Sequence, residues 1–423
     1  MAMIHPTRRS LLQAVAAAPL LSVAGVLRAA EPDLRGLADM TTGVRPIDAD
    51  ERARRLARAQ ALMKANGIGA VAIEPGSSMV YFTGVRWSRS ERPTLAILPV
   101  EGQPLIVTPF FEEPSVRQTL AVPAEIRVWQ EDEDATKVVA GWLREQRLDR
   151  QPLGIEETMR SFIAGGFAAA APDARQVSAN PVVRGCRMVK TPAEIALMTL
   201  ATDVTVAGYR WTHPRVEKGM TGREIGALMN AATTKLGGSP EFALALIGPA
   251  AALPHGSREA IRVADGQVVL MDCGCTVEDY QSDVSRTWVH GAATKEQRTV
   301  WDQVAAGQQL AFRTARIGTP AGAVDDAVRA FYQRIGYGPD YRLPGLSHRT
   351  GHGIGLEVHE VPYLVQGDRT PLAPGMTFSN EPMICIYGEF GVRLEDHFHM
   401  TEAGPRWFTE PAHSVDDPFG YEA

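Results

Sequence analysis

An apolar run, Val268-Val269-Leu270-Met271, ends on Asp272, so any fold that buries this strand must also answer the charge at its end. Moving a carboxylate out of water is costly unless hydrogen-bond donors or cations meet it. Asp283 lies eleven residues further on, in Tyr280-Gln281-Ser282-Asp283-Val284-Ser285-Arg286-Thr287, a spacing that lets a hairpin fold one carboxylate against the other. For this pair alone a turn or capping role stays open, because aspartates commonly flank turns. Two glutamates repeat the theme: Glu381 in Ser379-Asn380-Glu381-Pro382 and Glu395 in Gly391-Val392-Arg393-Leu394-Glu395-Asp396, both in strand-like runs that are otherwise apolar. Ahead of them, His348, His352 and His359 follow one another at spacings of four and seven on a glycine-rich segment. A lone histidine is usually an ordinary core or surface residue. Three together, where glycine lets backbone and ligand approach closely, point to metal binding or catalysis.

Four carboxylates with at least one imidazole make a hard, oxygen-rich donor set that suits Mn²⁺, Co²⁺, Fe²⁺ or Zn²⁺. Their charge is enough for two divalent ions, and two of the carboxylates can bridge them. Two such ions lower the pKa of a shared water to roughly 7 and polarise an amide carbonyl, which points to hydrolysis.

At 423 residues the chain exceeds one ordinary core, and 45% hydrophobic with 22% charged residues is globular composition, so two domains are expected. A formal charge of −6 offers no basic stripe for a phosphate backbone and argues against nucleic acid as a partner. Residues 31–186 read as an α/β domain. A helix over Asp50–Asn66 stops at Gly67, and strands at Ala70–Ile73, Leu95–Leu98, Leu105–Val107 and Leu153–Ile155 alternate with helical stretches such as Thr136–Glu145. Nothing there clusters His, Asp or Glu. Residues 187–423 carry the chemistry in an α+β pattern, with capping boxes at Thr191/Glu194, Thr221/Glu224 and Thr294/Gln297 opening three helices around hairpin-like strands.

Residues 1–30 differ in texture. Thr7-Arg8-Arg9-Ser10-Leu11-Leu12 precedes a weakly apolar run broken by Pro19, the pattern of a twin-arginine export signal, and this predicts a periplasmic mature protein. No later stretch is long and apolar enough to cross a bilayer. The four cysteines, Cys186, Cys273, Cys275 and Cys385, are expected to be inert buried thiols; Cys273 and Cys275 flank Gly274 on one strand and cannot easily bridge each other.

In the order M-D-C-G, S-D-V-S-R-T, G-H-G-I-G-L-E-V-H-E, N-E-P and G-V-R-L-E-D, the motifs resemble those of the creatinase-fold ("pita-bread") metallopeptidases. That group includes prolidase, aminopeptidase P and methionine aminopeptidase. The resemblance runs from about Asp50 to the end, and the N-terminal domain sets the chain apart from methionine aminopeptidases. It implies a pita-bread catalytic domain with two divalent ions, Mn²⁺ first among them, that cuts proline-containing peptides after the first residue as a homodimer. Carried over, Asp283 and Glu395 bridge the metals, Asp272 is a bidentate ligand of one ion, and His352 and Glu381 complete the other. Glu381 is also the implied acid/base. His255 and His359 are the implied partners of the substrate carbonyl, and His348 and Arg393 line the proline side. The chain departs from the resemblance at one point: it reads Val361-Pro362-Tyr363 where some prolidases show a carboxylate-binding arginine, and tripeptides are therefore expected to be accepted alongside dipeptides. Two readings compete: a metal-free hydrolase or lyase on the same fold, and an inactive binding module.

Overall fold

In the computed structural model, residues 32–421 are described; the export-signal segment lies outside them. The first domain runs α1 (Ala49–Asn66), β1 (Ala70–Ile73), α2 (Ser77–Thr83), β2 (Leu95–Pro99), β3 (Leu105–Pro109), α3 (Glu113–Thr119), β4 (Glu125–Trp129), α4 (Ala135–Glu145), β5 (Leu153–Ile155), α5 (Ser161–Ala170), β6 (Gln176–Ser178) and α6 (Asn180–Arg187). Its strands form one mixed six-stranded sheet in the order β4-β3-β2-β1-β5-β6. Strand β1 is buried at every position, as its unbroken Ala-Val-Ala-Ile sequence demands. Gly67 closes α1 in the left-handed region, φ 63°, and its N–H bonds back into the last turn.

The second domain contains α7 (Pro192–Thr212), α8 (Gly222–Lys235), β7 (Ser239–Ile247), β8 (Gln267–Val277), β9 (Tyr280–Gln281), β10 (Val284–His290), α9 (Lys295–Thr314) and α10 (Ala321–Arg334). It ends with β11 (Gly351–Gly353), β12 (Glu360–Leu364), β13 (Thr377–Asn380), β14 (Met383–Ile386), β15 (Phe390–Arg393), β16 (Asp396–Thr401) and β17 (Gly404–Trp407). All three expected capping boxes form at the starts of α7, α8 and α9. One sheet runs β10-β8-β7 under α7 and α8; a second runs β12-β11-β13-β16-β17 beside α9 and α10. They meet at an isolated antiparallel bridge, where Ser285 and Glu395 exchange backbone hydrogen bonds of 3.3 and 3.1 Å. A third, two-stranded ribbon, β14-β15, leads into that bridge.

The second expected strand is interrupted. β9 ends at Gln281 and β10 begins at Val284, because the Ser282 hydroxyl takes the Cys275 N–H at 3.0 Å in place of a ladder carbonyl, while the pairing register with β8 is the same on both sides of the break. Gly274 allows this: a Cβ there would lie 2.3 Å from the Ser282 carbonyl oxygen. The four cysteines are free and buried, and burial pushes the Cys186 thiol up to about 12. An apolar cluster continuous from Met63 and Phe82 through Leu197 to Val277 and Leu356 seats the first domain on the second. Among the described residues no helix is long and apolar enough to cross a membrane.

Candidate metal centre

Each sheet brings its own acids to the seam. On β8, Asp272 pairs with Ser285 of β10, and Asp283, two residues before Ser285, falls on the same face. From the other sheet come His352 in β11, Glu381 just past β13, and Glu395 between β15 and β16. Strand β11 reaches in because Gly351 has no side chain; a Cβ would lie 2.2 Å from the Ser379 carbonyl oxygen.

The five residues converge. His352 Nε2 lies 3.3 Å from Glu381 Oε1, 3.6 Å from Asp283 Oδ2 and 3.9 Å from Glu395 Oε1. His352 Nδ1 donates to the Gly353 carbonyl at 3.0 Å, which leaves Nε2 with its lone pair toward the acids. Ligand atoms of Asp283, His352 and Glu395 lie within 4.8 Å of one another. The Ser285 hydroxyl, 2.8 Å from Glu395 Oε2 and 3.0 Å from Asp272 Oδ1, ties the two sheets' acids together. Arg393 donates to Asp272 Oδ2 at 2.6 Å and to Ser285 Oγ at 2.9 Å.

This arrangement fits divalent cations. Asp283 Oδ1 and Glu395 Oε1 are buried without a hydrogen-bond partner. Burial, reinforced by the neighbouring carboxylates, holds both acids well above the usual carboxylate range. Four carboxylates face one guanidinium, which leaves negative charge that two divalent ions would neutralise. Asp272 keeps a second lone pair on each oxygen despite its hydrogen bonds.

A cavity of about 570 Å³ opens on the cluster, walled by Pro254, His255, His348, Arg349, His359, Glu381 and Arg393 among others. The ring of His359 packs edge-on against His352 at 4.3 Å between centroids. His348 Nδ1 bonds to the Arg349 carbonyl at 2.7 Å and lies 4.0 Å from Glu381 Oε2. Burial pushes His348 down to about 3 and His359 to about 4, so each imidazole is neutral near pH 7. His255 sits exposed at the mouth. The cavity wall therefore carries His255, His348, His359, Glu381 and Arg393, while Asp272, Asp283, His352 and Glu395 are outside its lining and join it through the contacts of Glu381 with His352 and of Arg393 with Asp272. Arg393, expected on the proline side, is also bound to Asp272, a contact that motif spacing does not reveal. Sequence reasoning gave no role to Ser285 or Arg349. Ser285 had a readable signal, since it lies two positions after Asp283 on one strand face.

Glu360, beside His359, fixes the loop. Its carboxylate is buried and accepts from Arg187 at 2.5 Å, from Lys190 at 2.9 Å and from the Leu356 and Glu357 N–H groups. Burial alone would raise its pKa, but the charges of Arg187 and Lys190 overcome that and hold it at about 2. A carboxyl depressed in the folded state stabilises fully above its unfolded pKa of roughly 4.3, and this contribution fades as pH falls toward 2. Glu360→Gln is expected to cost about 3–5 kcal/mol at pH 7, as two buried cations lose their partner. Urea unfolding of the chelated proteins should show the gap narrowing below about pH 4; a pH-independent gap would refute the charge pairing.

Residues 196–402 match the Metallopeptidase family M24, and residues 55–189 match the Creatinase/Prolidase N-terminal domain. The chain is 33% identical over 371 residues to the Probable dipeptidase PepE of Mycobacterium tuberculosis, spanning 86% of this chain and 95% of that protein. It belongs to metallopeptidase family M24. The M24 chain superposes on the crystal structure of dipeptidase PepE from Mycobacterium ulcerans with a TM-score of 0.81 at 30% identity, covering 88% of this chain and 98% of that one. It is 32% identical over 263 residues to the Xaa-Pro dipeptidase of Pyrococcus furiosus, across 62% of this chain and 74% of that protein. M24 is a family of dinuclear, metal-dependent peptidases, and this chain is a metallopeptidase with the creatinase-type N-terminal domain.

Proposed function

We propose that this M24 enzyme hydrolyses the bond between an N-terminal residue and proline in short peptides, as an Xaa-Pro dipeptidase or aminopeptidase. Asp272, Asp283, His352, Glu381 and Glu395 hold two divalent ions in this reading, with Mn²⁺ favoured and Co²⁺, Zn²⁺ or Fe²⁺ compatible with the same donors. The observation that carries it is the cavity whose wall joins Glu381 of the acid cluster to His255, His348, His359 and Arg393. Its volume suits a peptide of a few residues.

Bound divalent ions supply Lewis acidity at the scissile carbonyl and acidify water. The side chains do the rest. Glu381, between His352 and His348, takes the proton from the attacking water and returns it to the departing nitrogen. That return is essential for proline, whose tertiary amide has no N–H and must leave as a secondary amine. His359 and His255 donate hydrogen bonds to the carbonyl oxygen as charge builds on it. In this reading the free α-amino group lies beside the acid cluster, which restricts cleavage to the first residue.

With a panel of metals, Ala-Pro is expected to be cut at least about tenfold more efficiently than Ala-Ala in kcat/KM. Faster cleavage of Ala-Ala would refute proline specificity.

We also propose that the mature protein is exported through its Arg8-Arg9 signal to the periplasm and works as a homodimer. Protein recovered from the periplasm should begin near Glu31, and Arg8→Lys with Arg9→Lys should block export. Cytoplasmic protein that keeps its first residues would end this reading.

A further inference from the structure

We propose that Arg349, braced on the ring of Tyr363, receives the free C-terminal carboxylate of the substrate and makes the enzyme favour dipeptides. This rests on the reading that the cavity takes Xaa-Pro peptides.

Position comes first. Arg349 directly follows His348 and lines the same cavity as His359, Glu381 and Arg393. The pairing of β11 with β12 sets His352 opposite Tyr363, and the guanidinium carbon of Arg349 lies 4.3 Å from the centre of the Tyr363 ring. Tyr363 therefore does more than replace an arginine. It holds one that arrives from position 349.

Charge is the second observation. The other arginines around the site are answered by acids: Arg187 by Glu360, Arg393 by Asp272, and Arg329 by Asp325. Arg349 is half-buried, yet among the described residues its guanidinium has neither a carboxylate nor a hydrogen-bond acceptor as partner. Stacking occupies one face of the guanidinium and keeps the plane in place, while the N–H donors around its edge stay free. A fork of donors held flat beside a substrate cavity matches a carboxylate in two-point contact. In an Xaa-Pro dipeptide that group is the carboxylate on the proline itself. In a longer peptide an uncharged amide stands there, and the cation stays unanswered.

The test compares Ala-Pro, Ala-Pro-amide and Ala-Pro-Ala on the metal-loaded full chain and on Arg349→Met. The wild type is expected to prefer Ala-Pro to its amide by about tenfold or more in kcat/KM, the scale of one charge-assisted contact. Arg349→Met should lower kcat/KM for Ala-Pro by about 10- to 100-fold, chiefly through KM, and collapse the acid-to-amide ratio toward one. Metal content and melting temperature should match the wild type, which separates lost recognition from a damaged site. A wild-type ratio near one, or a ratio that Arg349→Met leaves unchanged, overturns the proposal. If Arg349→Met fails to fold, Arg349→Lys and Tyr363→Leu read the same ratio, and each should reduce it. If the wild type cuts Ala-Ala but neither proline substrate, the Xaa-Pro reading fails on its own. The comparison of Ala-Ala with Ala-Ala-amide then decides Arg349 separately.

Discussion

Asp283→Ala and Glu395→Ala are each expected to abolish turnover and metal binding together, with the wild type carrying about two divalent ions per chain and the variants fewer. Both acids present an unpartnered buried oxygen to the same space, and both stand within 4.8 Å of His352. Elemental analysis of the purified proteins beside kcat checks this. Thermal melting offers a second reading. Ions that bind only the folded chain stabilise it by mass action, so chelation should lower the melting temperature of the wild type substantially. It should barely move the variants, which bind less metal and have lost one of the mutually repelling charges. A wild type that hydrolyses peptides equally well after verified metal removal would sink the metal mechanism.

His359→Ala is expected to keep its metals and lose about 10²- to 10³-fold in kcat, equivalent to roughly 3–4 kcal/mol of transition-state stabilisation. Its ring touches His352 but its other face is on the cavity, so the substitution removes a donor without removing a ligand. The discriminating measurement is kcat at full metal occupancy. An unchanged kcat would take His359 out of the mechanism.

The parts of this structure that were legible in the sequence are those written in local chemistry. Thr191/Glu194, Thr221/Glu224 and Thr294/Gln297 close their capping boxes within one turn, so nothing distant can overrule them. The Asp272 strand was readable because a carboxylate at the end of four apolar residues has few inexpensive environments. What stayed hidden depends on pairing between distant segments. Strand β11 is three residues long, too short to show a period, and its partners are set by β12 and β13. The contact of Arg393 with Asp272 spans 121 residues and arises only because the sheets meet at Ser285 and Glu395. The stacking of Arg349 on Tyr363 follows from a strand register, and the linear sequence showed only a missing arginine at Tyr363. The split between β9 and β10 turns on one serine hydroxyl that competes with the ladder.

The bridge between Ser285 and Glu395 gives the ions a mechanical role besides their chemical one. Neither sheet alone holds the full donor set: Asp272 and Asp283 belong to one, and His352, Glu381 and Glu395 to the other. Closing the joint and assembling the centre are therefore the same event. A chain without its ions crowds these acids at the joint, which then rests on the backbone pair, on Ser285 and Arg393, on the ion pair of Arg286 with Asp396 and on the apolar core that Leu270 shares with Phe378 and Phe398. The ions therefore act on the joint as well as on the substrate, and the amides of Ser285 and Glu395 should be the first in either sheet to exchange faster when metal is removed.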